Sequence, residues 1–187
     1  MVLPVPASRA CWGRKKSAIQ QPPCYFDRYI ALVPDIELEV AFQQAEAELG
    51  DLDRAQLVRL GDSVYAAGKW TVRDIFQHLI DAERVLGYRA LRFARNDQTR
   101  LPGFDEAVFA ANAETRQRSL DSILAELATL RRATASMFAW FDERALLRIG
   151  IASDMEMSPL AYGFAILGHQ KHHLANLESR YYPLVAS

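Results

Sequence analysis

Apolar residues recur with a period near 3.6 in four stretches of this chain, and the segments between them are rich in Gly, Pro, Asp and Asn. The first stretch begins at Pro34-Asp35, where Asp35 offers a cap. It carries Ile36, Leu38, Val40, Ala41 and Phe42 toward Leu49 before Gly50-Asp51 stops it. Asp53 to Leu60 forms a short second segment, and Tyr65 to Trp70 reads as a loop. The next long helix opens at Thr71, with Asp74 completing a capping-box variant, and runs to about Arg95. On it Ile75, Ala82, Val85, Leu86, Arg89 and Phe93 lie within about 80° of His78, which therefore faces inward.

From Leu101-Pro102-Gly103-Phe104-Asp105-Glu106 a connection of some 15 residues follows, long enough to need helical turns or a task of its own. A third long helix spans about Leu120 to Phe141, with Ile123, Leu124, Leu127, Leu130, Met137, Phe138 and Phe141 inward and Trp140 on the flank. Leu147 to Met157 reads as a loop. Ser158 then caps the fourth helix, with Pro159 in its first turn. Between Leu160 and Leu167 this helix is apolar nearly all round, which predicts a second contact surface and hence a homodimer.

Four helices with long connections make an all-α protein, a four-helix bundle with crossover connections. At 187 residues, 50% hydrophobic and 24% charged, the chain suits one domain with a real core. Residues 1–24 hold Pro4, Pro6, Pro22, Pro23 and the cluster Arg14-Lys15-Lys16 without any period. They read as an arm outside the bundle, leaving 25–187 as the domain. A formal net charge of −1 argues against nucleic acid as a partner, and no apolar run is long enough for a membrane span. The proline-broken start does not read as a secretory signal, and Cys11 and Cys24 have no metal-ligand spacing. A reduced, cytoplasmic protein follows as the expectation.

Three of the four histidines fall in Gly168-His169-Gln170-Lys171-His172-His173-Leu174. His169 and His173, at i and i+4, share one helix face and can share one ion, while His172 points about a quarter-turn away. Two imidazoles alone hold a metal weakly, and His78 is the remaining histidine able to complete the set. The competing reading is that these rings serve hydrogen bonding and packing. The metal reading carries a condition: if the stripe Leu160, Phe164, Leu167 and Leu174 faced the core, His169 and His173 would face away from it, so the stripe must then be the dimer face. Arg89 is a second polar residue on the inward face of its helix. It either binds an anionic substrate group or pairs with an acid such as Asp81 or Glu126, and the pairing is the favoured of the two. Asp81 and Arg92 share a helix edge and can position each other, while Glu83 points well away from His78.

The ordered set Lys69-Trp70-Thr71, His78 to Arg84, Tyr88 to Arg95, Leu101 to Phe104 and Gly168 to His173 resembles the DinB/YfiT-like family, over about Tyr25 to Tyr182. The resemblance implies an up-down-down-up bundle, usually dimeric, with a divalent metal on three histidines matched here by His78, His169 and His173. His172 matches an adjacent histidine that is not a ligand, and Gln170 stands where similar sequences often carry Glu. Members resemble metal-dependent hydrolases and thiol S-transferases acting with a low-molecular-weight thiol. The implied cofactor is zinc or nickel, with iron or manganese as alternatives, and Tyr88 and Arg89 are the candidate substrate contacts. A non-catalytic metal-binding or stress-response bundle is the alternative function.

Overall fold

The computed structural model describes residues 12–20 and 23–186. In chain order its elements are α1 (Asp27–Ile30), α2 (Leu38–Gly50), α3 (Arg54–Leu60), α4 (Val72–Ala94), α5 (Glu106–Asn112), α6 (Leu120–Ala139) and α7 (Glu143–Leu147). A two-stranded hairpin, β1 (Gly150–Ala152) with β2 (Met155–Met157), then leads into α8 (Pro159–Asn176). No described helix is long and apolar enough to cross a membrane.

Local chemistry sets the helix starts. Both halves of the Thr71–Asp74 capping box are made, and Ser119 and Ser158 cap α6 and α8. Asp35 is not a cap: its carboxylate accepts from the Ser17 backbone N–H at 2.8 Å, and α2 starts three residues later with no side-chain cap. The same neighbourhood receives residues 12–20, where Trp12, Ala18 and Ile19 pack on the core and Leu38 N–H bonds the Arg14 carbonyl.

Pairs between elements give the helix directions. Leu38 meets Gly163 and Ala45 meets Gln170, so α2 and α8 run parallel. Glu83 meets Arg131 and Gly87 meets Met137, so α4 and α6 also run parallel. Phe42 with Phe138, and Glu46 with Arg132, set the two pairs antiparallel. The order is up-down-down-up, and the parallel pair α4–α6 forces the long crossover through α5.

Within one chain α8 is covered on every side, by α1, α2, α4 and α7, and its residues Pro159 to Gln170 are all buried. The apolar belt at 160–167 therefore needs no second copy to cover it. Its stripe faces the bundle and the histidines are inside as well, which removes the condition attached to the metal reading. The remaining cover, too short to show a period in the sequence, is α1. It reaches α8 because Gly168 has no side chain, and a Cβ there would sit 1.9 Å from the Tyr29 carbonyl oxygen.

Two hydrophobic clusters form the core. One gathers Phe42, Phe138, Tyr162 and Phe164; the other gathers Leu57, Phe76, Leu79, Ile123 and Leu127. A polar layer divides them. Arg131, 2% exposed, gives Nε and Nη2 to the Glu83 carboxylate, with Nη2 to Oε2 at 2.7 Å. Counting seven residues from the Leu38–Gly163–Phe138 contact places Ala45, Gln170 and Arg131 at one height. Gln170 Nε2 donates there to the Ala45 carbonyl at 2.9 Å and to Glu48 at 3.0 Å. Arg131 Nη1 and Gln170 Oε1, a donor and an acceptor, are left without partners among the described residues.

The hairpin replaces the loop expected over 147–157, and helix α5 occupies the long connection after Leu101. Trp140 is 67% exposed and adds nothing to the core.

Candidate metal centre

His78, on the inward face of α4, meets His169 and His173 from α8. The Nε2 atoms of His78 and His173 each lie 3.0 Å from Nε2 of His169, and all three lie within 4.8 Å of one another. His78 and His169 are buried and His173 is partly so. Aromatic rings wall the cluster. Trp70 lies 4.7 Å from the His78 ring and stacks over His173 at 6.5 Å, while the Tyr29 ring meets His169 edge-on at 4.9 Å. The Tyr181 hydroxyl donates to the Trp70 carbonyl at 2.6 Å and fixes that wall.

The electrostatics follow from this enclosure. Burial pushes the His78 pKa down to about 4; burial and then the His78 and His172 charges bring His173 to about 3. Burial, followed by repulsion from His173 and His78, holds His169 well below the usual imidazole range. At neutral pH the rings are therefore uncharged, the form whose lone pair can bind an ion. Hydrogen bonding among the three is poor, because His169 Nε2 carries either one proton or one lone pair and so can serve one of its two neighbours at 3.0 Å. Three converging neutral nitrogens with no carboxylate in the cluster fit a divalent transition ion. His172 is outside this group, with Nε2 3.1 Å from the Asn176 amide.

A cavity of about 260 Å3 opens beside His173, lined also by Tyr65, Lys69, Trp70, Asn176 and Tyr181. Sequence reasoning assigned these residues no role. Lys69 and Trp70 stand just ahead of the capping box that starts α4, and Asn176 lies three residues after His173, so only their spacing from the histidines could have pointed to them.

The other candidates lie elsewhere. Tyr88 is 52% exposed and its hydroxyl accepts from Arg92. Arg89 is buried but pairs with neither Asp81 nor Glu126; its Nη2 donates to the Pro102 carbonyl at 2.8 Å and the Ser153 hydroxyl at 3.0 Å. Glu126 is taken by Arg84 and Arg118 instead. Asp81 accepts from Gln77, and Arg92 pairs with Asp97, so those two do not position each other.

The sequence profile of the DinB superfamily matches residues 37–177, three-quarters of the chain and all of the histidine cluster. The chain belongs to the DinB superfamily. A Bacillus licheniformis protein whose name marks it as a candidate metal-dependent hydrolase is 27% identical over 157 residues, covering 76% of this chain and 88% of that protein. YfiT from Bacillus subtilis, described as a probable metal-dependent hydrolase with an unusual four-helix bundle topology, superposes with a TM-score of 0.63 at 18% identity. That alignment covers 87% of this chain and 89% of YfiT, and at this identity it speaks for the fold.

Proposed function

We propose that this DinB-family chain is a metal-dependent enzyme acting on a small molecule, with His78, His169 and His173 as the ligands of a divalent ion. The observation that carries the reading is the meeting of three neutral Nε2 atoms beside a cavity. When bound, such an ion supplies Lewis acidity, lowering the pKa of a coordinated water or thiol. The chain keeps the three imidazoles uncharged by burial, limits water through Trp70 and Tyr29, and leaves the His173 side open to substrate. Lys69 and Asn176 provide the polar contacts of that cavity.

No carboxylate lines this cavity among the described residues, so no side chain is placed as the general base that activating a water calls for. A thiol needs less help, because a coordinating thiol is deprotonated outright. This favours S-transfer from a low-molecular-weight thiol: its sulfur forms the new bond to an electrophile, the leaving group departs with its electron pair, and the thiol proton goes to solvent. Hydrolysis is the second reading, favoured by the names carried by the relatives. A reduced, cytoplasmic setting completes the proposal, and a homodimer rests on the family resemblance alone, since α8 is covered within one chain.

The test is metal content per chain for wild type and for His78→Ala, His169→Ala, His173→Ala and His172→Ala, followed by turnover of a chromogenic electrophile with and without thiol. One equivalent lost in the first three variants, retained in His172→Ala, and turnover that needs both thiol and metal are expected. Metal without turnover would instead favour a non-catalytic metal-binding bundle.

A further inference from the structure

We infer that Arg89 forms a second site, one that binds the carboxylate of a small organic acid with an apolar body. Its side chain is 3% exposed, yet among the described residues no carboxylate pairs with it and its Nη2 meets only two neutral oxygens. A buried guanidinium without a counter-charge is costly, and an anionic ligand removes that cost. Nε and Nη1 make no hydrogen bond of good geometry among the described residues, although the Tyr162 hydroxyl stands near the guanidinium. Arg89 lines a cavity of about 490 Å3.

The walls of the cavity select the body of the ligand. Tyr25, Phe26, Phe104 and Met155 present apolar surface, and the Phe104 ring centroid lies 5.8 Å from the guanidinium carbon. Tyr162 approaches Arg89 from α8, but burial pushes its pKa up to about 12 against the pull of that charge, so it remains a neutral phenol. Two acids also line the cavity. The Asp105 carboxylate is committed to capping α5 through the Ala107 and Val108 N–H groups, at 2.9 and 3.1 Å. Glu106 makes no ion pair among the described residues and opposes an anionic ligand. A planar carboxylate suits the flat guanidinium, and an aromatic or aliphatic body suits the rings beside it. Arg89 lies eleven residues, about 16 Å, along α4 from His78, and none of the lining residues borders the cavity at His173. The inference therefore does not rest on the metal reading.

Calorimetric titration of the full chain with benzoate, at fixed ionic strength and in both metal-loaded and metal-stripped forms, tests it. Benzamide and inorganic phosphate are the controls. Saturable benzoate binding in both forms is expected, with none for benzamide and a loss of at least about tenfold in Arg89→Met. Glu106→Gln should bind more tightly. Met155→Glu, which brings a carboxylate to the cavity wall, should lose binding while remaining folded. These two variants decide the matter even if Arg89→Met does not fold. Absence of saturable benzoate binding in wild type overturns the site, as does binding unchanged in Met155→Glu. Phosphate binding without benzoate binding overturns the carboxylate assignment, and benzoate binding only to the metal-loaded form places the ligand at the histidines instead.

Discussion

Gly168→Ala is the substitution that couples the fold most directly to the site. The new Cβ would stand 1.9 Å from the Tyr29 carbonyl oxygen and 2.4 Å from its carbon, and both are backbone atoms that no rotamer change can move. Ordinary contact begins at 3.4 Å, so α1 and α8 must separate by about 1.5 Å, the difference between 3.4 and 1.9 Å. Overpacking of this kind costs about 1–3 kcal/mol, and α1 also carries the buried Tyr29 and Ile30 away from the core. A loss of roughly 2–3 kcal/mol, or about 4–12 °C in Tm for a chain of this size, is the expected result. Because the Tyr29 ring moves off His169, metal affinity should fall as well. Urea unfolding of the metal-free protein gives the stability term, and competition with a chromophoric chelator gives the affinity. Gly50→Ala is the control, since nothing lies within 4 Å of its Cβ position and its φ is ordinary; it should be neutral or slightly stabilising. Stability of Gly168→Ala within about 0.5 kcal/mol of wild type would refute the close α1–α8 approach and the role given to it.

Glu83→Gln leaves Arg131 buried against a neutral partner and should cost about 3–5 kcal/mol, whereas Glu83→Leu combined with Arg131→Met should recover most of that loss in a double-mutant cycle. Nickel or copper titration should quench the emission of Trp70, whose ring lies 4.7 Å from His78, and Trp70→Phe should remove that part of the quenching. Metal removal should lower Tm in wild type, by about 2.7 kcal/mol of stability when free ion had been at a hundred times its Kd, and leave His78→Ala unchanged. The metal-free protein should also be acid-labile: its histidines stay neutral when folded but take up protons when unfolded, so stability is complete above about pH 6.5 and declines toward pH 4, as denaturation at fixed pH values can show.

The long helices were legible because each buries one stripe, and the Thr71–Asp74 box and Ser158–Pro159 start mark their ends. The histidine trio was legible for the same reason: i,i+4 spacing on α8 and an inward direction on α4 leave few other ways to join them. Helical arithmetic gives a direction, though, and not the element that will arrive there. It turned Arg89 inward correctly but offered acids as partners, where the chain supplies the Pro102 carbonyl and the hairpin's Ser153. Four-residue α1 and three-residue strands are too short to show a period, so the cover over α8 and the hairpin were both hidden. Arg131 was legible and passed over: it lies four residues after Leu127 and seven before Phe138, on the same inward stripe, while Arg132 beside it falls outside that stripe.

The polar layer between the two hydrophobic clusters fixes the axial setting of the bundle. Sliding α8 by one turn, about 5.4 Å, would replace Gln170 at that height with Ile166 or Leu174, breaking its bonds to the Ala45 carbonyl and Glu48 and carrying its amide into an apolar cluster. Where aliphatic side chains meet, packing penalises such a slide weakly, since one can replace another; at Gly168 the Tyr29 carbonyl opposes it, because a slide brings Phe164 or His172 there. Misplaced polar groups penalise it strongly. His169 is the neighbour of Gln170, so the setting that keeps the Gln170 bonds is also the one that brings His169 level with His78. The bundle thereby measures out the height of its own histidines.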